Sequence, residues 1–158
     1  ERIFSSNLFH SSHSVGRKVR SPVELGIGLL RSLQATTNIQ RLNRALGQLG
    51  QALYFPPSVK GWDGGRAWIN SSTLLGRCNL VRQTLNAEET RFRGGSLKKV
   101  AEKAGVSGSN DTVDWLLELL VAATPPADVR KSLVAVAKSD DLHKVVHAIS
   151  ALPEFQLS

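Results

Sequence analysis

Apolar residues recur at alternating steps of three and four along most of the chain, the spacing of one face of an α-helix. The clearest stripe is Ile39, Leu42, Leu46, Leu49 and Leu53, with Asn38 placed to cap it. Ahead of it, Ser21-Pro22-Val23-Glu24 joins a capping serine, a proline at the first helical position and a glutamate that reaches back three residues. This predicts a helix over 22–34 with Val23, Ile27, Leu30 and Leu33 inward. Pro56-Pro57 stops the second helix. Ser71 or Ser72 then caps a third, with Leu74, Cys78, Val81 and Leu85 as its inward face.

Further on, Arg93-Gly94-Gly95 breaks the periodicity, and Ser96 opens a short helix that Gly105 closes. Asp111 is placed to cap an apolar helix carrying Trp115, Leu116, Leu119 and Leu120. Thr124-Pro125-Pro126 ends that helix, and Thr124 with Pro125 opens the next, with Val129, Leu133 and Val136 inward. A last helix is predicted over 140–151, with Leu142, Val145, Val146, Ile149 and Leu152 inward and Pro153 at its end. No stretch alternates as a strand does, and none repeats at a fixed period. The expectation is an all-α fold over 1–158, a single compact domain of six or seven helices with one long Pro/Gly/Trp-rich loop. Any subdivision falls in the polar, glycine-rich stretch 86–96.

Composition adds constraints rather than an activity. No apolar run approaches the ~18 residues of a membrane span, so none is expected. The chain opens on Glu1 and holds no methionine, which reads as part of a longer protein. A single cysteine, Cys78, leaves no internal disulfide and no cysteine metal cluster. It falls on the apolar side of its helix with neither a histidine nor a helix N-terminus in local reach, so it reads as a structural thiol.

The formal charge of +7 favours polyanions or acidic surfaces. Arg17, Lys18 and Arg20 form one basic group, and Arg91 and Arg93 belong to another. Polyanion binding through these residues is one functional reading. Cations spread over several elements do not, however, describe a single nucleic-acid groove. Residues 100–107, VAEKAGVS, resemble the first helix and turn of the helix-turn-helix of bacterial repressors. The segment after it carries Asp111, Asp114 and Glu118, which would face phosphates, and Gly108 to Asp111 makes the turn read long. Nucleic acid is therefore not the expected partner.

His143 and His147 stand four apart with Asp140 three residues earlier, a helical spacing that can chelate a metal. No further ligand lies nearby, and a solvated helix face accounts for the pair. No resident metal or other cofactor is expected. His10 and His13 lie in a serine-rich stretch that reads as irregular. Gly94-Gly95, between Arg93 and Lys98, reads as a linker, or as an anion cradle at the following helix.

The segment 54–70, YFPPSVKGWDGGRAWIN, concentrates the chain's aromatic and special-backbone residues. Trp62 and Trp68 are large amphipathic faces, with Lys60, Asp63, Arg66 and Asn70 between them. Two readings follow: a ligand or partner contact that includes an Arg66 cation–π interaction, or a rigid corner whose tryptophans plug the core.

Three stretches together, RKVRSPVELGIGLLRSL (17–33), LGQALYFPPSVKGWDGGRAWINSSTLLGR (49–77) and PEFQ (153–156), resemble the C-terminal half of the domain-of-unknown-function 1800 family. Typical members of that bacterial family carry asparagine at the position of Ser58 and proline at that of Asp63. The match is looser over 86–150. The resemblance implies a longer, helical parent, export to the periplasm or cell envelope, and a partner protein. It brings no catalytic residues. The functional expectations are an accessory binding domain that meets a protein or glycan partner around Lys60, Trp62, Asp63, Arg66 and Trp68; part of an envelope hydrolase whose catalytic groups lie elsewhere in the parent; and polyanion binding.

Overall fold

The computed structural model describes residues 2–11 and 13–158. Ser12, inside the His10–His13 stretch, lies outside the described residues. Seven α-helices carry the described fold: α1 (Pro22–Ser32), α2 (Ile39–Gln48), α3 (Ser71–Leu85), α4 (Leu97–Lys103), α5 (Gly108–Leu120), α6 (Ala127–Ala137) and α7 (Leu142–Ser150). A two-residue strand β1 (Ala35–Thr36) pairs antiparallel with β2 (Arg91–Phe92), Ala35 opposite Phe92. Too short for periodicity to register, this pair ties the stretch 86–96 back to the end of α1.

The caps follow local chemistry. Ser21 and Glu24 form a reciprocal capping box at α1 with Pro22 at its start. The Asn38 and Ser96 side chains accept from Arg41 N–H and Lys99 N–H. Each satisfies an otherwise orphaned donor at a cost of about 1 kcal/mol if removed. Gly105 closes α4 in left-handed backbone (φ +76°), as its position predicts.

Other boundaries move. α2 ends at Gln48, before Leu53 and the prolines. Gly50, at φ +94°, takes the left-handed position just past the helix. Its N–H bonds the Gly47 carbonyl while Gln51 N–H reaches back to Leu46, the pattern that seals a helix C-terminus. Gly50→Ala would force a Cβ into that backbone, and stability should fall by about 1–2 kcal/mol. The urea midpoint reads this; an unchanged midpoint would mean the left-handed turn carries no strain. α3 is capped by Asn70, whose side chain accepts from Thr73 N–H while Thr73 Oγ1 accepts from Asn70 N–H. α5 starts at Gly108, ahead of Asp111, and α6 starts at Ala127, after both prolines. α7 begins at Leu142 with Asp141 as its cap, so Asp140 stands outside the helix at φ +55°.

Most of the buried apolar side chains form one cluster running from Leu25 of α1 through Leu46, Val81, Leu116 and Leu133 to Ile149 of α7 and Phe155. Each such leucine, fully withdrawn from water, contributes roughly 1.5–3 kcal/mol. α1, α2 and α3 close over Gly26, where an added Cβ would come within 3.2 Å of Leu46 and 3.4 Å of Leu42. α5 packs chiefly on α6, and α7 lies against both α6 and α3. No described helix is long and apolar enough to cross a membrane.

Candidate functional site

Between the sealed end of α2 and the Asn70 cap of α3, the chain makes its long excursion from Gln51 to Ile69. The two tryptophans separate. Trp68, in a single 3₁₀ turn over Gly65–Trp68, is 9% exposed and its ring rests against Gly50. It is the plug of the corner. Trp62 is partly buried, and its Nε1–H is shielded without an acceptor among the described residues. Asn70 is committed to its helix cap. Lys60 and Asp63 pair at 3.3 Å in full solvent, an interaction of small net value. Arg66 is exposed; the cation–π contact recorded among the described residues is Arg20 over Phe155, at 5.3 Å.

What the pattern leaves unmarked is the first half of the loop. Tyr54 is 93% exposed, Phe55 76%, and Val59 stands fully in solvent. Tyr54 occupies left-handed backbone (φ +68°), uncommon for a residue with a Cβ, and Pro56-Pro57 follows at once. The aromatic pair is thus carried outward on a stiff stem. The one sequence signal for this was two aromatics placed directly before two prolines.

A second constellation lies inside the protein. α3 buries Val81 and Leu85 as predicted, but its first turns are rotated: Leu74 is 38% exposed and Cys78 only partly buried, while Arg77 is 1% exposed. Arg77 Nε–H donates to Gln156 Oε1 at 3.0 Å, and both of its terminal nitrogens donate to the Arg20 carbonyl, one at 3.0 Å. Gln156 Nε2 donates to the Ser150 carbonyl at 2.8 Å. Lys18 and Ser158 exchange backbone hydrogen bonds, and Arg20 N–H donates to the Gln156 carbonyl at 2.9 Å.

RKVRSPVEL, LLGR and PEFQ, the three stretches that carry the resemblance, therefore meet on one buried guanidinium. Burial, with the Arg20 charge adding to it, brings Arg77 down to about 10, so it is still cationic at neutral pH. Burial pushes the neighbouring Cys78 thiol up, the opposite of an activated nucleophile.

The remaining candidates disperse. Asp140 bonds Lys98 at 2.5 Å, His143 Nδ1 meets Asn86 Oδ1 at 3.3 Å, and no group of three metal-binding side chains converges among the described residues. His10 Nε2 bonds the Phe4 carbonyl at 2.8 Å within irregular turns. Lys18 pairs with Glu24, Arg20 donates to the Leu120 carbonyl at 3.0 Å, and Arg91 donates to the Glu88 carbonyl. Arg17 and Arg93 are exposed. The turn between α4 and α5 is shorter than Gly108–Asp111 suggested, because those residues belong to α5. The exposed face of α5 is nevertheless Asp111, Asp114 and Glu118, with Asp114 held by Arg130 through contacts of 2.7 and 2.6 Å.

Two grooves open away from the loop. One of about 330 Å³ borders Arg82, Asn86, His143 and His147. Another of about 220 Å³, between α2 and α3, is lined by Gln48, Asn79 and Gln83. Neither is lined by a residue of 54–70, while Tyr54, Phe55 and Val59 project into solvent.

Among known proteins, the family described as "Protein of unknown function (DUF1800)" matches residues 1–157. No curated protein matches, and neither does any solved structure.

Proposed function

The chain belongs to the DUF1800 family, and from that premise we propose that it is an accessory binding domain of an exported bacterial protein, presenting its Tyr54–Arg66 loop to a partner protein. The observation that carries this reading is the outward-facing run Tyr54, Phe55 and Val59. Large exposed apolar side chains side by side on a stiffened loop lose free energy in water and regain it in a partner's pocket. A projecting knob suits a concave protein surface better than a small sugar, which needs a cleft or an open platform around it. Lys60 and Arg66 flank the apolar group as the polar rim that such contacts carry. The shielded Trp62 Nε1–H adds a donor that costs about 1–3 kcal/mol while unpaired and gains an acceptor if docking shifts the loop. Export and the envelope rest on the family resemblance.

A photo-crosslinking residue at Phe55, in protein produced in its own host, tests this. One discrete crosslinked protein is expected, lost when Tyr54→Ser is added and missing when the crosslinker sits at exposed Lys131. Crosslinks that are equally diffuse at both positions would sink the proposal. A glycan-array signal abolished by Tyr54→Ser/Phe55→Ser would replace the protein partner with a glycan.

A further inference from the structure

A groove of about 330 Å³ opens between the end of α1, the Arg93 turn, α4 and α5, away from the loop just described. Its rim is polar: Ser32, Gln34, Arg93 and Lys103. Trp115 and Leu119 supply apolar wall, and both also pack on the core cluster, which fixes their positions. Among the described residues, no carboxylate lines it. Asp114 and Glu118, on the same helix as Trp115, border a different groove beside Arg130.

The cations here are uncommitted. Lys98 has Asp140 and Arg130 has Asp114, whereas Arg93, Lys99 and Lys103 have no ion pair among the described residues. The backbone brings two of them in close. Gly94 and Gly95 both lie in left-handed backbone, at φ +94° and +108°, with no side chain to hold the lysines off. A Cβ on Gly94 would stand 3.0 Å from Lys103 Nζ, and one on Gly95 would stand 3.8 Å from Lys99 Nζ. Arg93 and Lys103 thus line one groove together with Trp115.

We propose that this groove binds a small sugar bearing an anionic group, its ring against Trp115 and its carboxylate or phosphate held between Arg93 and Lys103. The chemistry follows from the lining. An indole face takes the apolar side of a pyranose ring. Gln34 and Ser32 offer hydrogen bonds to its hydroxyls. A guanidinium beside an ammonium selects for negative charge, with Arg93 able to engage two oxygens at once.

The test is a titration of the 158-residue chain followed by amide and indole NMR signals of Gln34, Arg93 to Gly95 and Trp115. The probes are D-glucuronate, D-glucose 6-phosphate, D-glucose and inorganic phosphate. Saturable shifts confined to these signals are expected with one or both anionic sugars, and which sugar saturates names the anionic group. D-Glucose should bind at least about tenfold more weakly, as should Arg93→Ser and Lys103→Ser chains with the anionic sugars. Those two side chains are exposed, so the variants should stay folded. Trp115→Leu keeps an apolar wall but should lose the ring contact. Binding should fade near 1 M salt, where screening acts over about 3 Å.

Equal binding of glucose overturns the charge selection. Equal binding of inorganic phosphate overturns the ring contact. Unchanged binding in both serine variants, or no saturation by either anionic sugar at ten times a ~1 mM dissociation constant, removes the site altogether.

Discussion

An Arg77→Ala chain is expected to be less stable than the parent by about 3 kcal/mol, among the larger single-residue effects seen in proteins. Three contributions set the size. Removing the side chain strips the donors from Gln156 Oε1 and the Arg20 carbonyl, and each buried acceptor left unpaired costs about 1–3 kcal/mol. The largest fully buried side chain of the described structure also disappears, leaving a cavity. Against these stands the relief of no longer burying a cation that has no carboxylate partner among the described residues, worth several kcal/mol in the other direction. The acceptors and the cavity together outweigh that relief, but not by their full sum. Arg77→Met separates the cavity from the rest, because it fills most of the space while removing the donors and the charge. It should cost less than Arg77→Ala, and adding Gln156→Leu should recover part of the loss. Urea unfolding reads the stability. Hydrogen exchange at the amides of Arg20 and Ser158, which hold the chain's end to the start of α1, should accelerate alongside it. If Arg77→Ala lies within about 1 kcal/mol of the parent, the guanidinium does not hold these segments together.

This arginine marks how far the sequence could be read. The caps at Ser21, Asn38 and Ser96 were legible because an N-cap is chemistry among four consecutive residues. So was the all-α fold, whose helices alternate with proline and glycine punctuation. α2 was drawn too long because Leu53 continues the helical spacing of Leu46 and Leu49. The spacing does not reveal that Gly50 is already in left-handed backbone. The spacing on α3 predicts Val81 and Leu85 inward correctly but misses Arg77, for a different reason. An arginine in a helix is ordinarily assigned to solvent, and its principal side-chain acceptor, Gln156, is 79 positions away. The early start of α5 was missed because Ser107 makes no side-chain cap bond, while Asp111 looked like a better one. The β1–β2 pair is two residues long on each side and depends entirely on a contact between distant segments. In the candidate site, the aromatic content of 54–70 was legible. Which aromatics are buried was not, since Trp68 and Phe55 differ only in what the rest of the fold places beside them.

That difference supplies the second large effect. Trp68→Ala should lower stability by about 3–5 kcal/mol, the range for deleting a buried aromatic, because its ring fills the space above Gly50 at the end of α2. Tyr54→Ser/Phe55→Ser should leave stability within about 0.5 kcal/mol of the parent, as substitutions in open solvent usually do. In a chain that carries the crosslinking residue at Phe55, Tyr54→Ser should abolish the crosslink expected at this loop. Thermal unfolding of the Trp68 and Tyr54/Phe55 variants, set beside that crosslinking measurement, divides the segment into a stem and a contact. Were Trp68 only decoration, its loss would cost no more than that of the exposed pair. Were Tyr54 and Phe55 part of the corner instead, their loss would be felt in unfolding and the apolar knob would have no separate role. A loop built for architecture alone has no physical reason to hold two aromatic side chains in water, with one of them in strained backbone. A loop built for contact alone has no reason to anchor itself through a buried indole. On the proposed reading, Trp68 fixes the stem so that Tyr54 and Phe55 would reach a partner already ordered, which reduces the entropy that docking must overcome.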